Sequence, residues 1–229
     1  MTDVDALRFD LLTELGKMGT ASKAAQMKAY MKDIMDFQGV PMPTVRLISK
    51  ELAEKYKPAS SSEWQAACLS IWRQAKVREE LYFCETWTGL RVAKPWQTPA
   101  LIPMYEEMLV SGAWWDIVDW IATNRIGDIL MNHRDDVAPI LRGWSTSDNM
   151  WKRRTAILSQ NRHKAKTDVD FLFEMIAPSI ESKEFFLRKA IGWSLRDLAK
   201  TRPDVVKAYV KANESKLSGL SKREALKHL

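Results

Sequence analysis

The chain has 229 residues, 46% of them hydrophobic, with 35 Lys and Arg against 29 Asp and Glu for a net charge of +6. That is enough apolar content for a sizeable core and enough length for one large domain or two small ones. Two cysteines, Cys68 and Cys84, exclude a disulfide framework, and no apolar run suits a signal peptide or membrane span, so a reducing, cytoplasmic setting is expected.

Helical periodicity dominates. It predicts helices near 3–16, 22–37, 44–57, 62–76, 78–92, 98–111, 115–131, 133–144, 149–163, 168–178, 183–201, 203–213 and 221–228, with no alternating strand pattern and no Asn-Gly or Asp-Gly hairpin turn. Ser61, Ser62 and Glu63 open one helix; Pro99 and Pro203 stand at first turns; Gly19 and Gly39 close others. Many short helices joined by short loops predict stacked helix pairs rather than a four-helix bundle. The expected fold is all-α, a curved solenoid of HEAT-like repeats with a basic concave face, one domain over 1–229 with capping helices over about 1–40.

Along the chain, the first stretch that could carry chemistry is Ala113–Asp119. Trp115 and Asp119 are four residues apart and share a helix face, with Ile117, Val118 and Ile121 on the other. Asp116 suits an N-cap. Asp119 is either a first-turn acid favoured by the helix dipole or a carboxylate beside an aromatic wall, suited to stabilising a developing cation or orienting a water.

Charge then becomes asymmetric. Residues 1–112 carry 14 basic and 14 acidic side chains, whereas 113–229 carry 21 and 15, so the whole excess lies in the second half. It is densest from Trp151 to Lys166, where Lys152, Arg153, Arg154, Arg162, Lys164 and Lys166 occur with no acid. This is a solvated basic face or a polyanion surface. Arg154 differs from the rest because Met150, Trp151, Ile157 and Leu158 surround it at helical spacing. A guanidinium in an apolar stripe needs a partner, either a carboxylate such as Asp119 or a phosphate.

The helix over 183–201 puts Leu187, Ile191, Ser194, Leu195 and Leu198 on one face. Trp193 projects nearly opposite, among Lys189, Arg196 and Lys200. Either a second helix covers that face and Trp193 is ordinary packing, or cations and ring together meet phosphate and base. The steps from Asp119 to Arg154 and from Arg154 to Trp193 are each close to the period of HEAT-like repeats, which would let the three converge. His133, His163 and His228 have no metal spacing, and no Walker A, GxGxxG or GxSxG pattern occurs. No metal or cofactor is expected.

These segments in order resemble the AlkD-type alkylpurine DNA glycosylases, built of HEAT-like repeats. Ala29-Tyr30-Met31-Lys32 followed by Phe37-Gln38-Gly39-Val40, Arg78-Glu79 with Tyr82, Trp114 to Asp119, Trp151 to Leu158, and Phe185 to Trp193 with Leu195-Arg196 are each similar to a family segment. One departure is Pro43-Thr44-Val45-Arg46-Leu47, with a single arginine where the family commonly has two. The resemblance implies a hydrolase that releases cationic alkylated purines from double-stranded DNA. It places the catalytic set on Trp115, Asp119, Arg154 and Trp193. No lysine in the set stands out as a covalent nucleophile, so a monofunctional enzyme is expected, and a repeat solenoid can work as a monomer. Lys152, Arg153, Lys189, Arg196 and Lys200 are the candidate phosphate contacts. Two other classes compete: a catalytically silent repeat protein that binds branched or distorted DNA, and a protein-binding scaffold.

Overall fold

A computed structural model describes residues 2–229. The fold is all-α. Among the described residues the only extended pairing is an isolated bridge between Asp36 and Val77. The chain divides into two compact units, with the boundary between Trp96 and Gln97.

The first unit contains α1 (Val4–Met18), α2 (Ala21–Tyr30), α3 (Met42–Lys55), α4 (Ser61–Gln74) and α5 (Arg78–Gly89), then a 3-10 segment over Arg91–Trp96. Asp3, Thr20 and Ser60 cap α1, α2 and α4 through their side-chain oxygens, each satisfying a first-turn N–H that helix geometry leaves unpaired. The α4 cap is thus Ser60, just before the expected Ser61 and Ser62, while Glu63 reaches back to accept from the Ala59 N–H at 2.9 Å. Leu7, Leu11 and Leu15 form the buried stripe of α1, and α3, α4 and α5 pack on it. Trp64, Ile71, Phe83 and Trp87 complete the core.

The predicted helix over 22–37 stops at Tyr30. Lys32 and Asp33 follow in left-handed conformations, and the chain then runs without helix as far as Pro41. The cause lies on α5. The buried Glu79 carboxylate accepts from the N–H groups of Gln38, Gly39 and Val40, at 3.0, 2.8 and 3.0 Å. A carboxylate receiving three backbone donors is a strong local organiser, and it outweighs continuing α2 by two turns. Gly39 therefore closes no helix. Its φ is +83°, and a Cβ there would stand 2.4 Å from the Thr20 carbonyl oxygen and 2.6 Å from the Ala24 nitrogen. Gly39→Ala should lower the melting temperature by several degrees, since a left-handed non-glycine residue alone costs about 1–2 kcal/mol. A thermal melt unchanged from wild type would mean the loop relaxes around the methyl.

The second unit begins with a 3-10 turn, Pro99–Leu101. It continues through α6 (Ile102–Gly112), α7 (Trp115–Ile121), α8 (Gly127–Asn132), α9 (Arg134–Ser145), α10 (Met150–Leu158), α11 (Val169–Ile176), α12 (Phe185–Ala199), α13 (Pro203–Ala212) and α14 (Gly219–Ala225). In this unit α7, α10, α12 and α14 pack one against the next as a row. Helices α9 and α11 back α10, and α13 backs α12. Ile157, Leu172, Ile176, Leu187, Ile191, Leu195 and Val206 form the core between them.

The repeat is visible in the hydrogen bonds that join successive helix pairs. His163 Nε2 pairs with the Gly127 carbonyl 36 residues back, and Ser194 Oγ donates to the Ile157 carbonyl 37 back. The Arg162 N–H donates to Asp197, 35 residues on, and Lys189 Nζ to Glu224, again 35 on. Near-equal separations mean that equivalent positions of successive pairs face each other, which is the HEAT-like packing expected.

Candidate active site

Three elements of the row supply the predicted residues. Helix α7 starts at Trp115 after Trp114, which is extended and makes no side-chain cap. Asp116 is therefore in the first turn rather than at the cap, where its charge still suits the helix dipole. Trp115 and Asp119 follow on the side away from the buried Ile117, Val118 and Ile121. The expected single helix over 115–131 is interrupted immediately afterwards by a π-helical turn, Ala122–Ile126, and resumes as α8. Thr123 Oγ1 donates to the Asp119 carbonyl at 2.8 Å within that turn. Such insertions in helices recur at functional sites, where they aim a side chain. Gly127 ends the turn under the Ser159 carbonyl oxygen, 2.6 Å from where a Cβ would sit.

Asn149 caps α10, accepting from the N–H groups of Trp151 and Lys152 at 2.9 and 3.2 Å. One turn on, Arg154 is buried, and each of its three guanidinium nitrogens donates a hydrogen bond. Its Nε donates to Asp119 Oδ1 at 2.6 Å and its Nη2 to Oδ2 at 2.8 Å, while Nη1 donates to the Phe186 carbonyl. Asp119 is thus a carboxylate partner of Arg154, one of the two kinds the sequence leaves open. This two-pronged geometry fixes the carboxylate plane, as no lysine could. Arg154 is 5% exposed and Asp119 18% exposed. Burial pushes the Asp119 carboxyl above the ordinary carboxylate range. Arg154 pulls the other way, and nearby Asp116 adds to the rise.

Helix α12 brings Phe185, Phe186, Lys189, Trp193 and Arg196 to the same place. Trp193 is half-buried. It packs on the unit's core, as the packing reading expects, and it also lines the cleft. A covering helix does exist: α14 lies on α12 at Gly192, where a Cβ would come within 2.4 Å of the Glu224 Cβ. It leaves one side of Trp193 facing the cleft.

Together Trp115, Asp119, Arg154, Phe185, Phe186, Lys189, Trp193, Arg196 and Glu224 line an open cleft of about 300 Å³. Behind it, Trp114, Trp151 and Phe186 pack with ring centroids 5.0 to 6.1 Å apart. They stiffen the wall that holds α7, α10 and α12 in register. Phe185, at the cleft, is 57% exposed.

The five candidate phosphate contacts separate. Lys189 and Arg196 line the cleft, both paired with Glu224. Lys200 pairs with Asp197 and borders a second depression with Arg162 and Lys164. Lys152 is turned onto Glu106 of α6, and Arg153 is half-buried outside the cleft lining. Glu224 and the two phenylalanines belong to the cleft, yet sequence reasoning assigned them no role. His163 bonds Gly127 and stands outside the cleft, its imidazole pushed down by burial. Among the described residues no cluster of three or more His, Cys, Asp or Glu could hold a metal ion. No helix among them is long and apolar enough to cross a membrane.

The sequence profile of the DNA alkylation repair enzyme family matches residues 11–229. The chain belongs to this family. A solved structure described as a predicted DNA alkylation repair enzyme from Enterococcus faecalis is 30% identical, covers 93% of this chain and 97% of its own, and superposes with a TM-score of 0.76. The crystal structure of AlkD2 from Streptococcus mutans shares the fold at 19% identity, covering 91% of this chain and 98% of its own, with a TM-score of 0.62. A second Streptococcus mutans protein, from strain UA159, shares the fold at 20% identity, with a TM-score of 0.58 over 82% of this chain and 98% of its own. No curated protein matches the chain. Within the DNA alkylation repair family, then, the α7–α10–α12 cleft is where this chain gathers its aromatic, acidic and basic side chains.

Proposed function

We propose that this DNA alkylation repair protein is a monofunctional glycosylase that hydrolyses the N-glycosidic bond of cationic alkylated purines, N7-methylguanine and N3-methyladenine, in duplex DNA. The observation that supports it is the Asp119 carboxylate, clamped by Arg154 and flanked by Trp115 and Trp193 in one open cleft.

The chemistry needs little more. Alkylation already gives the base a positive charge, so the C1′–N bond breaks with its electron pair going to a base that leaves neutral, and no general acid is required. Positive charge then develops on the deoxyribose ring. A fixed carboxylate in a partly desolvated site stabilises that charge without reorganising. Asp119 also orients the water whose oxygen bonds to C1′ and whose proton is released. The clamp keeps the ionised carboxylate the working form, because a protonated Asp119 would give up one charge-assisted bond to Arg154. Trp115 and Trp193 offer π-faces to the sugar and the cationic lesion, contacts of about 0.5–2 kcal/mol each. A cleft this open suits a lesion that stays close to the duplex rather than one swung into a deep pocket.

Incubation with a duplex bearing one N7-methylguanine, followed by chromatography of released base, tests the reading. Release of free N7-methylguanine with an abasic site left in the strand is the expected result. Tight binding to junction DNA with no release would instead support a silent structure-binding protein. The rate should fall as pH drops through one ionisation lying above the ordinary carboxylate range, since protonation removes the working charge of Asp119. A rate that stays flat down to ordinary carboxylate pKa values would show that the Arg154 clamp outweighs burial at Asp119.

A further inference from the structure

Glu224 is a second carboxylate in the cleft, and the hydrolysis just described does not use it. It stands on α14, and its side chain reaches between two cations of α12. Lys189 Nζ donates to Oε1 at 2.8 Å, and Arg196 Nη1 donates to Oε2. Its position is built in. Gly192 lets α14 approach so closely that the Glu224 Cβ lies where a side chain on α12 would begin, and Ser221 Oγ donates to the Arg188 carbonyl at 3.0 Å. Lys189 first, and Arg196 after it, hold the Glu224 carboxyl below its usual range, so it is ionised at neutral pH.

The charges in the cleft can then be followed. Arg154 is committed to Asp119. Lys189 and Arg196 are the cations left for a phosphate, and Glu224 already occupies both. A phosphate arriving there meets a resident negative charge a few ångströms away. An undamaged nucleotide brings only its phosphate charge into that field. An alkylated one brings the same phosphate and a compensating positive base.

We infer that Glu224 is a specificity-determining counter-ion, competing with a DNA phosphate for Lys189 and Arg196 and so biasing the cleft toward nucleotides whose base is cationic. The inference rests on the glycosylase reading for its choice of ligand, but its test is a binding measurement. Full-length wild type and Glu224→Gln are titrated by fluorescence anisotropy with an undamaged duplex. A second titration uses the same duplex carrying 2′-fluorinated N7-methylguanosine, which resists hydrolysis. Glu224→Gln should bind the undamaged duplex several-fold more tightly at low salt. The slope of log K against log salt should steepen by about 0.9, the signature of one further phosphate contact. Affinity for the cationic duplex should rise less, so discrimination falls. Glu224→Ala keeps the Cβ against Gly192 and should move the same way. Adding Lys189→Met to Glu224→Gln should abolish the gain. Unchanged affinity and slope in both single variants would overturn the inference, as would equal tightening on both duplexes. Absence of base release by wild type would count against the glycosylase reading, while these binding ratios would still judge Glu224.

Discussion

Asp119→Asn should release N7-methylguanine about 10²–10³ times more slowly than wild type, while binding the same duplex with similar affinity. Removing one preorganised electrostatic contact to a charge that appears only in the transition state costs about 3–4 kcal/mol of barrier. Asparagine is the informative substitution because its shape is nearly that of aspartate. Its amide oxygen can still accept from one arm of Arg154, but its NH₂ faces the other arm, so some loss of stability accompanies the kinetic effect. Single-turnover rates with enzyme in excess, set beside anisotropy and a thermal melt, separate the three quantities. Release within a few-fold of wild type would remove the carboxylate from the mechanism and leave the two tryptophans to account for the rate.

The second large effect falls on stability. Arg154→Met should destabilise the protein by about 3 kcal/mol, the low end of the range for breaking a buried ion pair, because Asp119 keeps some contact with solvent. For a chain of this size that corresponds to a drop of roughly 6–12 °C in melting temperature. Losing the guanidinium also frees the Phe186 carbonyl that ties α10 to α12. Two companion measurements identify the cause. The double variant with Asp119→Asn should recover part of the loss, since no charge is then left without a partner. The deficit should also shrink in mild acid. An unclamped, desolvated Asp119 takes up a proton more readily folded than unfolded, so stability rises as pH falls through its raised pKa. A melt within a degree or two of wild type would show that water, not Arg154, satisfies the carboxylate.

How far the cleft was legible in the sequence can be judged residue by residue. Asp119 with Trp115 was visible as a four-residue spacing on one helix face, and Arg154 as a cation with no local reason for its apolar neighbours. Their convergence followed from the repeat period, which the hydrogen bonds reproduce at 35 residues between Asp119 and Arg154. The same arithmetic reaches Glu224, 35 residues beyond Lys189. The helix around it is short and polar, and nothing in the sequence sets a lone glutamate there apart from surface. The helix boundaries failed where non-local groups intervene. Glu79, on another helix, holds the loop where the expected α2 would continue, and the π turn after Asp119 ends at Gly127, where α8 meets the end of α10. The first has no signature within the segment it alters, and the second shows there only as a mid-helix glycine. The charge asymmetry was real but coarse, since Lys152, Lys189, Arg196 and Lys200 all have acidic partners that a count by halves cannot reveal.

The grip of Glu79 on Gln38, Gly39 and Val40 bears on how other sequences should be read. Two of the segments that make this chain recognisable, the glycine turn and the Arg-Glu helix, are the two halves of one structural fastener. A paralogue that had lost its chemistry would have every reason to keep them, since they keep the backbone folded whatever the cleft does. Sorting active from inactive homologues should therefore ignore that half of the pattern. If the proposed mechanism holds, it should ask instead whether an acid stands at position 119, an arginine at 154 and an aromatic at 115 and 193.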